Sequence, residues 1–268
     1  MAPRVLAVVQ ARLGSTRLPG KALMMIAGRP MLSHVLARAR AVPGVDETVL
    51  ATTASPEDDA LVEVAAAEGI ASVRGSVEDV LDRFHTALRA HPADAIVRFT
   101  ADCPLLDPEV SGLVVRDYLA HREETDYVSN VEPPTFPDGL DTEAVSAAAL
   151  ERAWREARLP SDREHVTTYI RSGRNGFRVR NVVHAEDLSA HRWTVDEPRD
   201  LAFARAVHAE LAPDGRRLFG MREVLDLLRR RPELSSLNSG IARNEGLLRS
   251  RAGDLAATKP SHGGMDRR

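Results

Sequence analysis

A short apolar strand running directly into a cationic, glycine-bearing loop constrains this chain more than anything else in it. Val5–Val9 is a Val-rich apolar run of the kind that forms a buried strand. Gln10–Lys21 follows, reading Gln-Ala-Arg-Leu-Gly-Ser-Thr-Arg-Leu-Pro-Gly-Lys. Its cations are Arg12, Arg17 and Lys21; its glycines, Gly14 and Gly20, let backbone approach a ligand. Arginine offers a planar fork to phosphate and lysine a compact charge. A helix is expected from Pro30, where Leu32, Val35, Leu36 and Ala39 keep helical spacing. Strand, cationic loop and helix together make the ligand-binding edge of an α/β protein. The loop is not an ATPase P-loop. Five residues separate Gly14 from Gly20, Ala22 replaces the required hydroxyl, and Pro19 removes an N–H.

The first half repeats the pattern. Strands are expected at Thr48–Thr52, Ile70–Val73 and Ala95–Phe99. Helices are expected between them, one opened by Ser55-Pro56-Glu57-Asp58 as a capped start and one over 78–90. Such alternation predicts an open, mostly parallel Rossmann-like sheet with helices on both faces and every strand's C-terminal end on one rim. The second half is less regular. Asp126–Ser129 and Phe177–Val183 read as strands; helices are expected from Ser146, over Arg163–Arg171, from Pro198 and near Met221. The reading divides the chain into an α/β domain over 1–215, a C-terminal helical extension over 216–250 packed on it, and a disordered tail over 251–268.

Length and composition narrow the class. A chain of 268 residues, 43% apolar, can bury one large α/β core. No apolar run reaches membrane-spanning length and no signal-peptide pattern opens the chain. The single cysteine, Cys103, rules out an internal disulfide framework and a Cys-based zinc site. These features point to the cytoplasm and away from a membrane. A net charge of −3 argues against bulk nucleic-acid binding, so the loop's cations are aimed at a small anion.

Two acidic segments stand at the ends of later elements. Arg98-Phe-Thr-Ala-Asp102-Cys-Pro closes the fourth strand, placing Asp102 on the rim of the cationic loop. The residues alone leave Asp102 open between a turn cap and a magnesium ligand. Trp193-Thr-Val-Asp196-Glu-Pro-Arg-Asp200 supplies the second acid, where Asp196 or Glu197 could equally cap the helix that Pro198 begins.

Ala11-Arg12-x-Gly14-Ser15-x-Arg17-Leu-Pro-Gly-Lys21 resembles the N-terminal signature of cytidylyltransferases that make CMP-activated acidic sugars, and the wider chain is most similar to their spore-coat-polysaccharide-type relatives. The resemblance runs from Val5 to about Asp254 and includes Gly75-Ser76-x-Glu78-Asp79-Val80-Leu81-Asp82-Arg83, which it places next to the nucleotide, together with Asp138-Gly-Leu-Asp141-Thr-Glu143, Arg163-Glu164-His165-Val166-Thr167-Thr168 and Asn238-x-x-Ile241-x-Arg243-Asn244-Glu245-Gly246. It implies a nucleotide-diphospho-sugar transferase-like fold and transfer of CMP from CTP to a sugar hydroxyl with release of pyrophosphate. It implies Arg12 and Lys21 as catalytic cations, and Gln10, Ala11, Arg12, Gly14, Ser15, Lys21, Asp79 and Arg98 around the nucleotide. It further implies Asp102 and Asp196 on Mg²⁺, and Asp141, Glu143 and His165 against an acidic or unusual sugar. Such relatives are commonly homodimers. Alternatives are the same fold with another nucleoside triphosphate or a phosphonate or polyol acceptor, and a nucleotide-binding module without turnover.

Overall fold

In a computed structural model of the chain, the described residues are 2–241 together with Arg243, Ser250, Ala252 and Asp254. The tail expected over 251–268, apart from Ala252 and Asp254, and the Asn244-Glu245-Gly246 part of the C-terminal match lie outside them.

Seven strands form one sheet. β1 (Val5–Gln10) opens it, β2 (Met25–Ile26) and β3 (Arg29–Pro30) form a separate hairpin, and α1 (Met31–Arg40) follows. Then come β4 (Glu47–Thr53), α2 (Asp59–Ala67), β5 (Ala71–Gly75), α3 (Val80–Ala90), β6 (Ala95–Thr100) and α4 (Pro108–His121). The second half comprises β7 (Tyr127–Ser129), β8 (Glu143–Ser146), α5 (Ala147–Glu156), α6 (Pro160–His165), α7 (Thr168–Arg171), β9 (Val179–Asn181), α8 (Pro198–Leu211) and α9 (Met221–Arg230). The sheet order is β5-β4-β1-β6-β8-β7-β9, with β8 alone running against its neighbours.

Strand periodicity separates two cores. Val5, Ala7, Val9, Val97 and Phe99 face one way and pack against α1, α2 and α4. Leu6, Val8, Ala51 and Ile96 face the other and pack against α3 and α5. A third cluster gathers Trp193, Phe136 and Phe219 with the apolar sides of α8 and α9. No helix among the described residues is long and apolar enough to cross a membrane.

The chain leaves β1 toward β4 and β5, then returns to place β6 on the other side of β1. The direction of winding reverses there, and the crevice of an open α/β sheet lies outside the strand ends at such a point. Both the loop after β1 and the Thr100–Asp102 turn after β6 emerge on that rim.

Several local expectations change. Ser55 makes no side-chain cap; Asp58, expected as its acidic partner, instead accepts from the Leu13 amide at 2.8 Å and from the Thr53 hydroxyl, anchoring the cationic loop. The helix expected over Arg163–Arg171 breaks at Val166, dividing α6 from α7. The β2–β3 hairpin, which turns through Ala27 and Gly28 at positive φ, is too short to carry periodicity. β8 is missing from the sequence reading, because its antiparallel partners are set by tertiary pairing.

The Asp102 turn is braced from behind by buried polar groups. Arg38, with no exposed surface, donates to the carbonyls of Leu106 and Phe219, both at 2.8 Å, and lies over the Phe219 ring. His208 meets the Pro104 carbonyl and packs edge-on against His34, ring centroids 4.4 Å apart. Burial, the neighbouring His34 and the Arg38 charge hold the His208 imidazole down at about 3; burial lowers His34 as well. The unfolded chain takes up a proton on each imidazole near the ordinary value of about 6.5, whereas folded His208 does so only near 3. Stability present above pH 6.5 is therefore lost as pH falls toward 3, by at most about 1.4 kcal/mol per pH unit for each ring. Urea unfolding between pH 7 and 4 is expected to show this slope, and His208→Gln to reduce it by about one proton. An unchanged slope would exclude His208 as its source.

Candidate active site

The cleft above the rim has a volume of about 430 Å³. Gln10, Ala11, Arg12, Gly14, Ser15 and Lys21 line one side, followed by Asp102, Asp196 and His165 from later in the chain. Asp79, Arg98, Asp141 and Glu143 are not among its lining residues.

Its centre is an ionic cluster. Lys21 opens a short 3₁₀ turn directly after Gly20, whose φ of 70° is readily adopted by glycine. The Lys21 ammonium donates to Asp102 Oδ2 at 2.9 Å, Asp196 Oδ1 at 2.8 Å and the Val195 carbonyl at 2.9 Å. Burial opposes its charge, yet Asp102 and Asp196 prevail and raise the Lys21 pKa. Burial likewise opposes the Asp102 charge, but Lys21 and the Thr100 hydroxyl, at 2.5 Å, hold the carboxyl down at about 2. Both groups are charged at neutral pH. Asp196 Oδ2 faces two further cations, Arg17 at 2.9 Å and Arg192 at 3.1 Å.

Backbone pairing brings the two aspartates together. The Val195 amide donates to the Asp102 carbonyl at 2.8 Å, and the Trp193 amide to the Asp138 carbonyl at 2.6 Å. Arg192 fixes the far side, with Nε 3.0 Å from Asp200 Oδ1 and Nη1 3.3 Å from Asp138 Oδ2. Asp200 is the acid that closes the α8 start: it accepts from the amides of Asp196 at 3.0 Å and Glu197 at 2.9 Å. Asp196 is thereby left to face Lys21. Asn238, from the C-terminal match, donates to Asp200 and to the Arg192 carbonyl.

The remaining expected residues have other surroundings. Asp79 caps α3 through the Asp82 amide at 2.9 Å and pairs with Arg163. Arg98 joins Gln10 Oε1 at 3.0 Å to Glu143, its register partner across β6 and β8. Glu143 departs from the expected acceptor contact. Its carboxylate is enclosed by Arg98, by the Tyr127 hydroxyl at 2.7 Å and by the Thr167 hydroxyl at 2.5 Å. Burial opposes its charge, but Arg98, Arg171 and these hydroxyls hold it down at about 2. Asp141 is partly exposed and pairs with Arg243; burial raises its carboxyl to about 7 against that cation.

His165 lines the cleft with Nε2 3.0 Å from the Ser250 hydroxyl. Burial pushes its imidazole below the usual value, against the pull of Glu164. Immediately after it, Val166 has φ 61° and ψ −58°, and the Thr167 amide donates to the His165 carbonyl at 2.6 Å. That is a γ-turn of the rare positive-φ kind, costing about 1–3 kcal/mol for a β-branched residue. Thr167 holds one side of it through Glu143.

Three further arginines stand in or behind the cleft, and the sequence assigned none of them a specific contact. Arg17 lies in the loop itself. Arg83, 2% exposed, lines the cleft beside Arg12 and is pushed down to about 10 by burial and by the Arg12 charge. Its place in the segment after Gly75 was the available signal. Arg192 carries no periodic or motif signal, and only the folded chain reveals its role.

No group of three or more His, Cys, Asp or Glu side chains among the described residues is arranged to hold a metal by itself. The donor set around Lys21 is nonetheless one that a hard cation accepts: two carboxylate oxygens and a carbonyl, aimed at one point. It fits magnesium, which takes one or two carboxylates and completes its shell with phosphates and water.

Two substitutions test the scaffold. A Cβ at Gly139, where φ is 108°, would lie 2.7 Å from the Thr194 nitrogen and 2.8 Å from the Trp193 carbonyl carbon. Gly139→Ala is expected to cost about 2–4 kcal/mol in urea unfolding, because backbone cannot move aside cheaply. Glu143→Gln is expected to cost about 3 kcal/mol by leaving Arg98 short of its counter-charge. Wild-type stability in that variant would remove the bracing role.

A model of the cytidylyltransferase family matches residues 6–210. An uncharacterized protein, MJ1063, of Methanocaldococcus jannaschii is 34% identical over 89% of this chain and 96% of its own length. The spore coat polysaccharide biosynthesis protein SpsF of Bacillus subtilis is 31% identical over 87% of this chain and 97% of its own. The structure of a cytidylyltransferase from Leptospira borgpetersenii superimposes with a TM-score of 0.83 at 28% identity, covering 90% of this chain and all of that one. With the family signature spanning most of the chain and relatives matched end to end, this protein belongs to the cytidylyltransferase family and is a nucleotidyltransferase enzyme.

Proposed function

We propose that this enzyme transfers CMP from CTP to the hydroxyl of an acidic or unusual sugar, releasing pyrophosphate in a magnesium-dependent reaction. The observation that carries the reading is the convergence of Lys21, Asp102 and Asp196 beside the loop that follows β1. The cleft volume suits a nucleotide-sized ligand. Similarity to a spore coat polysaccharide biosynthesis protein of Bacillus subtilis favours a sugar acceptor.

In this reading the backbone of Gln10–Arg12 meets the base. Arg12, exposed and lining the cleft opposite Glu164, meets the triphosphate, as does Lys21. Asp102 and Asp196 would hold the magnesium ion, which when bound supplies charge neutralisation and orientation to the phosphates. His165 and Asp141 serve the acceptor side. Arg98 and Asp79 act on the nucleotide side through Gln10 and through the start of α3. The acceptor oxygen attacks the α-phosphorus in line, and the bond to the bridging oxygen of the leaving pyrophosphate breaks. Arg12 and Lys21 stabilise the charge that gathers on that group.

Positioned cations dominate this kind of transfer, because positioning and charge stabilisation supply most of the catalysis. Lys21→Ala is therefore expected to lower turnover by about 10²–10³-fold. The deciding assay is pyrophosphate release with CTP, Mg²⁺ and a panel of sugar acids, with UTP, GTP and ATP compared by thermal shift. No release with any pairing would overturn the reading, and a wild-type rate for Lys21→Ala would remove that residue from it.

A further inference from the structure

The Lys21 ammonium fills a cage of three oxygens. Asp102 Oδ2, Asp196 Oδ1 and the Val195 carbonyl all lie 2.8–2.9 Å from it. The outer carboxylate oxygens are engaged elsewhere. Asp102 Oδ1 accepts from the Thr100 hydroxyl, and Asp196 Oδ2 faces Arg17 and Arg192. The inner pair and the carbonyl therefore share one target, and Lys21 occupies it. The carbonyl is fixed in place, since Val195 is fully buried and its amide is bonded to the Asp102 carbonyl.

A hard dication seeks the same arrangement of oxygens, drawn in to about 2.1 Å for magnesium. An ammonium and a dication cannot share a point that size, because they repel at contact distance inside a partly closed cleft. Lys21 has a flexible four-carbon stem and can leave without moving the backbone. We propose that Lys21 and the divalent ion are alternative occupants of one three-oxygen site, with the Val195 carbonyl as its third oxygen. The proposal rests on the reading of the cleft as a metal-dependent nucleotidyltransferase site.

It has a consequence for the order of binding. Without nucleotide, Lys21 neutralises the two carboxylates and shuts the ion out. A triphosphate offers the ammonium other oxygens, frees the cage and adds its own oxygens to the ion's shell. Ion and nucleotide then bind as a unit.

The test is Mn²⁺ binding to the nucleotide-free full chain, followed by electron paramagnetic resonance. Wild type is expected to bind with a Kd of about 1 mM or weaker. Lys21→Met, which keeps the stem and removes the charge, is expected to bind roughly tenfold tighter or better. Lys21→Met/Asp196→Asn is expected to lose that gain. A Lys21→Met protein that binds no tighter than wild type overturns the proposal. If Lys21→Met does not fold, wild type decides alone: micromolar Mn²⁺ binding without nucleotide overturns the shared site, and millimolar binding supports it. Pyrophosphate release by wild type is measured in parallel. Release without the Lys21→Met gain sinks the shared site and leaves the proposed reaction standing. A gain without release from any acceptor supports the shared site and sinks the reaction.

Discussion

Two carboxylates and one ammonium, drawn together from three distant parts of the chain, set the terms for the rest of this structure. Asp102 and Asp196 lie 81 and 175 residues from Lys21 along the sequence, yet both are within hydrogen-bond distance of it. Two such acids in a half-closed cleft repel unless a cation stands between them. Lys21 meets that need from within the protein. The surrounding elements act to keep the three groups in register.

The holding is done by polar groups that themselves have no access to the cleft. Asp58 fixes the loop at the Leu13 amide, Arg38 and His208 support the Asp102 turn, and Arg192 with Asp200 aims Asp196 inward. Each is buried and bonds backbone or a charged partner, so each stiffens its segment. Glu143 does the same for the segment that carries His165. It ties Arg98, and through it Gln10, to Thr167 and the strained turn at Val166. Gln10 at the end of β1 and the turn between α6 and α7 thus hang from one enclosed carboxylate.

Family membership and geometry bear on different questions. The family match spans the α/β sheet and makes the chain a cytidylyltransferase. The geometry of this chain shows which oxygens surround Lys21 and which arginines stand behind them.

Much of the sheet was legible in the sequence because parallel strands buried on both faces read as apolar runs, as β1 and most of β6 did, while β4 was marked by β-branched Thr and Val between helical segments. The Gln10–Lys21 loop was legible because glycines beside cations carry a local chemical meaning. β8 was not, since four residues paired against β6 and β7 have no periodicity of their own. The break at Val166 was hidden for a related reason: it depends on Glu143 holding Thr167 from another strand. The same separation runs through the site. Local sequence determined the strand ends, the cations and the candidate acids, because periodicity, capping and residue chemistry act over a few neighbours. Tertiary structure alone decided that Glu143 is enclosed, that Arg192 supports Asp196, and that Lys21 sits between the two aspartates. Those outcomes depend on which segments cross at the rim, and no short stretch of chain records that.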